Sequence, residues 1–142
     1  MGNKNKIRVI ALGIIRHGDR LFVSEGYDAL KEQTFYRALG GGVEFGESSM
    51  AALRREFHEE IQAHLTNIYY LATLENIFTY QGEPGHELIQ LYQCDFRDRE
   101  FYERESILFQ EKKRKKKALW VDIARFESGE LLLVPERCLA YL

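Results

Sequence analysis

Apolar residues recur along this chain with two different periods, and the change between them divides it into strands and helices. From Ile7 to Ile15 they run almost unbroken and include several β-branched side chains, which predicts a first strand. His17-Gly18-Asp19-Arg20 reads as a turn, after which Leu21 to Glu25 is expected to return beside the first strand as a hairpin. Tyr27 to Thr34 is polar and is expected to form a mobile connection, and Phe35 to Leu39 a short strand entering a glycine loop at Gly40-Gly41-Gly42. The period then lengthens. Met50, Leu53, Phe57 and Ile61 fall on one stripe of a helix, and Ser48 or Ser49 can cap its first turn with a hydroxyl.

Ile68 to Phe78 predicts another strand, closed by a turn at Gln81-Gly82-Glu83-Pro84-Gly85. In the strand from His86 to Phe96, residues Leu88, Gln90, Tyr92, Cys94 and Phe96 face one way, and Ile89 and Leu91 the other. Apolar residues on both faces predict a strand covered by helices on each side. Asp95 to Glu105 is expected to be a solvated loop or a short helical turn. Ile107-Leu108-Phe109 and Ala118-Leu119-Trp120-Val121 predict a hairpin whose tip is the basic run Lys112 to Lys117. Asp122 is expected to cap a short helix reaching Phe126 and ended by Gly129, and Pro135 to open a terminal helix. No repeat or linker interrupts the chain, which predicts one domain over residues 1–142 with a mixed sheet between helices.

Composition narrows the class. The chain has 142 residues, 45% of them hydrophobic, enough for a substantial core. A net charge of −2 gives no general attraction to nucleic acid or anionic membranes. No apolar run approaches the roughly 18 residues of a membrane span. The N-terminus, MGNKNKIRVIALGII, faintly mimics a signal peptide, but Arg8 interrupts its apolar run and the strand reading fits better. Cys94 and Cys138 are far apart in apolar surroundings, so free thiols and a cytoplasmic location are expected.

The helix carries the candidate chemistry. Glu56, Glu59 and Glu60 occupy one arc about 100° wide, beside the apolar stripe rather than opposite it. Three such carboxylates repel one another and raise one another's pKa unless a cation neutralises them. Hard oxygen donors at this density suit Mg²⁺ or Mn²⁺, often with substrate phosphates. A solvated acidic face is the plain alternative. Against it, no lysine dilutes the cluster at helical spacing, and the close cation is Arg55, four residues before Glu59. The glycines ahead of the helix let backbone approach a ligand closely. They do not match the dinucleotide fingerprint, because the interval from Gly42 to Gly46 is one residue too long. Arg37 alternates with apolar neighbours, and its fork of donors suits either a surface ion pair or a substrate phosphate. His86-Glu87 could add a base or a metal ligand, or simply close a turn. The basic run reads as a solvated tip or as an attractor of polyanions.

Gly41, Glu47, Arg55-Glu56, Phe57, His58 and Glu59-Glu60, at this spacing, resemble the Nudix box of the MutT-like Nudix hydrolases. The match covers residues 41–63. One position departs: Gln62 stands where the family has glycine, and Ala63 follows where a larger aliphatic residue is usual. Gln62 must therefore take a left-handed cap conformation, or the helix must run on toward His64. The resemblance implies an α/β/α sandwich with a mixed sheet. It also implies Mg²⁺ or Mn²⁺ held by Glu56, Glu59, Glu60 and the Gly40 carbonyl, with Glu59 and Glu60 as catalytic candidates. Glu47 and Arg55 are implied as a brace between loop and helix. The implied substrate is a small nucleoside diphosphate derivative, cleaved to a nucleoside monophosphate and a phosphorylated partner. Two further readings stay open: a nucleotide sensor without turnover, which three glutamates argue against, and an RNA-processing pyrophosphohydrolase using the lysine run. A nucleic-acid partner is not favoured by the charge, and a homodimer is left open.

Overall fold

In the computed structural model, which describes residues 5–142, the first apolar run becomes β1 (Arg8–Ile14). Residues 1–4, with Lys4 of the basic start, lie outside the described residues. The expected long hairpin with the next strand does not form. After Ile15 the chain continues as a two-residue strand, β2 (Arg16–His17), and this alone pairs with β3 (Arg20–Asp28). The reason is that β1 has both of its edges taken, one by β5 (Leu39–Gly42) and the other by β7 (Glu83–Phe96).

The polar segment after β3 is ordered rather than mobile. β3 continues to Asp28 and turns back into β4 (Gln33–Arg37). Asp28 is buried, and its carboxylate accepts hydrogen bonds from the amides of Leu30 (3.0 Å), Lys31 (3.1 Å) and Gln81 (3.1 Å). Three donors on one carboxylate fix the turn to a neighbouring hairpin. The glycines also differ from expectation: they are strand, not loop, with Gly41 opposite Ala11 and Gly40 opposite Leu12.

Helix α1 (Ser49–Ile61) follows, then β6 (Leu65–Tyr80), which pairs along β7. Gln81 and Gly82 make the turn between them with positive φ at both positions, 52° and 79°, the conformation that matches strand twist in a two-residue hairpin. Pro84 and Gly85, expected in the turn, lie in β7. A 3₁₀ turn at Arg99–Tyr102 leads to β8 (Ser106–Glu111) and β9 (Arg114–Asp122). Asp122 occupies the N-cap position of α2 (Ile123–Glu127) but makes no capping hydrogen bond with its side chain. The terminal helix is a 3₁₀ segment, Glu136–Tyr141.

Two sheets result. One has the order β5-β1-β7-β6, mixed because β1 and β7 run parallel, and the other the order β2-β3-β9-β8 with β4 on β3. Alternation along β7 sorts the core onto two faces, as its sequence predicted. Tyr92, Cys94 and Phe96 pack with Leu53, Phe57 and Ile61 of α1, while Ile89 and Leu91 join Phe126 of α2 and Cys138. Helices thus cover both faces of a mixed β layer, the α/β/α arrangement expected. Phe57 is fully buried, and burying a side chain of that size contributes roughly 1.5–3 kcal/mol. Both cysteines are free and buried. No helix among the described residues is long and apolar enough to cross a membrane.

Candidate active site

α1 is pinned at both ends by local bonds. Ser48 Oγ accepts from the Ala51 amide at 3.1 Å, capping the first turn. At the other end Gln62 has φ 54° and ψ 34°, and its amide donates to the His58 carbonyl at 3.0 Å. The helix therefore stops in a left-handed residue even without glycine, at a cost of about 1 kcal/mol.

Between those ends Arg55 gathers the loop. Its Nε and Nη2 donate to the two oxygens of Glu47 at 2.7 and 2.9 Å, and Nη2 also reaches the Gly42 carbonyl at 2.9 Å. Nη1 approaches Glu56 at 3.2 Å and Glu59 at 3.3 Å. The Arg55 hydrogen bonds, with help from the Glu44 amide, pull the Glu47 carboxyl down to about 2. Arg55 is raised in turn, mainly by Glu47. This is the brace that the resemblance implied.

The three helix glutamates have different surroundings. Glu56 is mostly buried against Gly41, where any Cβ would run into its carboxyl group. Burial raises its pKa, Arg55 opposes the rise, and Glu59 and Glu111 add to it. Glu59 is 59% exposed, and among the described residues its charged partner is Arg55. Glu60 points into a cavity of about 110 Å³ lined also by Gly40, Gly41, Glu111 and Lys116. Burial holds the Glu60 carboxyl well above the usual carboxylate range, and the charges of Glu111 and Glu56 and a hydrogen bond with Glu111 push the same way. Lys116 Nζ stands 3.7 Å from Glu111, too far for a hydrogen bond.

Glu111 was not singled out from the sequence. It is a lone acid at the end of β8, and only the pairing of β8 with β9 brings it over α1. The basic run is corrected by the same pairing. Lys112 and Lys113 alone form the turn, with φ 49° and 68°, while Arg114 to Lys117 lie within β9 and Lys116 lines the cavity. Arg37 lines it too, but not as a surface residue: its Nη2 donates to the buried Glu87 at 2.6 Å. His86 and Glu87 close no turn, since both sit inside β7. Glu87 joins the cavity wall, while His86 does not.

Among the described residues no three His, Cys, Asp or Glu side chains already converge at metal-ligating spacing. The donor set nevertheless fits a hard dication. Glu60 and Glu111 meet at the cavity, with Lys116 Nζ 3.7 Å from Glu111, and Gly40 tolerates no side chain because a Cβ would overlap the Ala11 carbonyl. Backbone and carboxylate oxygens are thus brought to the cavity beside the cations of Arg8, Arg37 and Lys116. The oxygens are the donors such an ion takes.

Comparison with known proteins agrees with this architecture. Residues 4–132 match the family model of the NUDIX domain. Among solved structures, the chain is similar to the E. coli ORF135 protein at 22% identity, covering 93% of this chain and 84% of that one with a TM-score of 0.56. It also resembles a NUDIX hydrolase from Nitrosomonas europaea at 16% identity, covering 92% and 82% with a TM-score of 0.63. A MutT NUDIX hydrolase from Burkholderia pseudomallei shares 19% identity over 84% of this chain and 86% of that one, with a TM-score of 0.59. No curated protein sequence matches significantly. The family match spans nearly the whole chain and includes the brace, the glycine strand and the acid-bearing helix, so the chain belongs to the Nudix family.

Proposed function

We propose that this protein is a Mg²⁺- or Mn²⁺-dependent hydrolase of a small nucleoside diphosphate derivative, cleaving the phosphoanhydride. The observation that carries the reading is the meeting of Glu60 and Glu111 beside the glycine strand, in a cavity whose wall also carries Arg37 and Lys116. Glu56, Glu59, Glu60 and the Gly40 carbonyl would hold the ion, with Glu111 close by. When bound, such an ion neutralises phosphate charge and makes a water more acidic.

The rest of the chemistry belongs to the chain. A diphosphate resists attack because its anionic oxygens repel a nucleophile. Arg37 and Lys116 on the cavity wall supply positive charge toward those oxygens. Glu60 or Glu59 takes the proton of the attacking water, as a carboxylate not fully engaged elsewhere can do. The Glu47–Arg55 brace touches no reacting atom; it holds Glu56 and the strand end at Gly42 in register.

Turnover of nucleoside diphosphate sugars, dinucleoside polyphosphates, ADP-ribose and nucleoside triphosphates, in isotope-labelled water, tests the proposal and locates the attacked phosphorus. Hydrolysis of at least one class should appear with divalent metal and vanish in chelator. Activity that persists in chelator would overturn it.

A further inference from the structure

The left-handed turn that ends α1 also brings two histidines together. Gln62 folds the chain back over the last helical turn, its amide on the His58 carbonyl at 3.0 Å, and the Ala63 amide follows onto the Phe57 carbonyl at 3.3 Å. Ile61, Ala63 and Leu65 are buried, which turns Gln62 and His64 between them outward. The His64 carbonyl accepts from the Arg97 amide at 2.9 Å, so the residue is tied to the chain just past β7. His58 stands on the exposed side of the last helical turn, four residues before Gln62. Both imidazoles face solvent, with ring centroids 5.3 Å apart and planes tilted by 40°.

That spacing is the one a shared metal ion requires. Zinc binds an imidazole nitrogen at about 2.0–2.1 Å, which puts the ring centroid about 3.2 Å from the ion, and two rings at the tetrahedral angle then have centroids about 5.2 Å apart. Among the described residues no hydrogen bond or ion pair engages either ring, so the ring nitrogens keep their capacity to bind. Arg54, one turn earlier on the helix, is turned to the Leu65 carbonyl at 3.2 Å. The adjoining carboxylate, Glu59, is engaged by Arg55. The pair therefore offers nitrogen donors, which suit Zn²⁺, Cu²⁺ or Ni²⁺, whereas the oxygens of the cavity suit Mg²⁺ or Mn²⁺.

We infer that His58 and His64 form a second metal site, which takes a borderline dication such as Zn²⁺ with water completing its shell. The site uses no residue of the cavity and does not rest on the hydrolase reading. An ion there staples the last turn of α1 to the start of β6 across the strained Gln62. It stiffens the end of the helix that carries Glu59 and Glu60.

Zinc binding in excess Mg²⁺, which competes for the oxygen donors, tests this on the intact chain. Calorimetry should show one equivalent of Zn²⁺ bound at micromolar concentration. NMR of the imidazole nitrogens should show His58 and His64 shifting together, while His17, packed 4.8 Å from the Tyr102 ring, does not move. His58→Ala and His64→Ala should each weaken zinc at least about tenfold, since a direct ligand counts for no less than the groups that support it. Glu60→Gln should leave zinc affinity unchanged. Zinc should raise the melting temperature of the unaltered chain and not that of either alanine variant. Both histidines are exposed, so the variants should melt like the unaltered chain when zinc is absent. Zinc binding that survives both alanine substitutions would overturn the inference, as would a shift of one ring without the other. An affinity lost only in Glu60→Gln would assign the ion to the cavity, and no binding at micromolar zinc would remove the site altogether.

Discussion

Arg55 and Lys116 each face carboxylates around the same helix, and they neutralise them to very different degrees. Arg55 bonds Glu47 through two donors at 2.7 and 2.9 Å and touches Glu56 and Glu59 besides. Lys116 stands 3.7 Å from Glu111, which itself meets the buried Glu60. The first group is a finished brace: Arg55 holds both oxygens of Glu47 in a bidentate fork and reaches two further carboxylates from the same guanidinium. The second packs two carboxyl groups, Glu60 and Glu111, against each other in a small cavity where, among the described residues, no donor holds them in a fork. Burial of that kind costs stability, and structures retain it chiefly where something must bind or react. The comparison separates what holds the fold from what awaits a ligand.

The largest effect should come from the unfinished side. Glu60→Gln is expected to lower metal-dependent turnover at least about 100-fold, while the chelated protein melts no lower than the unaltered chain. Glu59→Gln should also lose about two orders of magnitude if it shares the ion or the proton. Steady-state rates beside melting curves measure both, and near-normal turnover in both variants would break the comparison.

The finished side should fail in stability first. Arg55→Gln leaves Glu47 and Glu56 without their partner and should lower the melting temperature by about 5–10 °C. The pH dependence carries a sign. The Glu47 carboxyl sits at about 2 in the folded chain against an ordinary value of 4.5, so its contribution is present above 4.5 and is lost as pH falls toward 2. Melting curves across that window should show the loss in the unaltered chain and a flatter profile in Arg55→Gln.

The smallest effect sharpens the boundary between the two. Gln62 ends the helix just beyond Glu60 with φ 54°, and its side-chain amide donates to the Glu59 backbone carbonyl at 3.5 Å, not to a carboxylate of either group. Gln62→Gly should raise stability by up to about 1 kcal/mol and keep activity within a few-fold. A fall in melting temperature would mean that the Gln62 side chain contributes more than its strained backbone costs.

Local chemistry made some of this legible from the chain alone. A serine cap at 48 or 49, the acid arc of α1 and the two faces of β7 follow from neighbours within a few residues, whereas the end of the helix at Gln62 stays open between two conformations in the sequence, and the structure decides for the left-handed one. What escaped depends on partners far along the chain. Gly40 to Gly42 looked like a loop because glycine disfavours strands; they are strand because only glycine can lie against the Ala11 carbonyl and the Glu56 carboxyl. The lysine run looked like a solvated tip because nothing local shows that Lys116 alternates inward along β9. Glu111 had no motif at all. Arg37 was read for a surface pair or a phosphate, and its buried partner Glu87 lies 50 residues away.

The crossing at Ile15 bears on how the wall of the cavity is held in shape. The chain passes from β1 to β2 there, and so from one sheet to the other, with the Ile15 carbonyl still bonded to the Phe22 amide at 3.0 Å. Ile10 and Leu12 of that same β1 line the cavity. The two walls are therefore tied by an unbroken backbone at their base, like the jaws of a fixed gauge. The strand that makes this crossing is also held on both edges, by β5 and β7, so the cavity wall it supplies through Ile10 and Leu12 is set by main-chain pairing and not by side-chain packing alone.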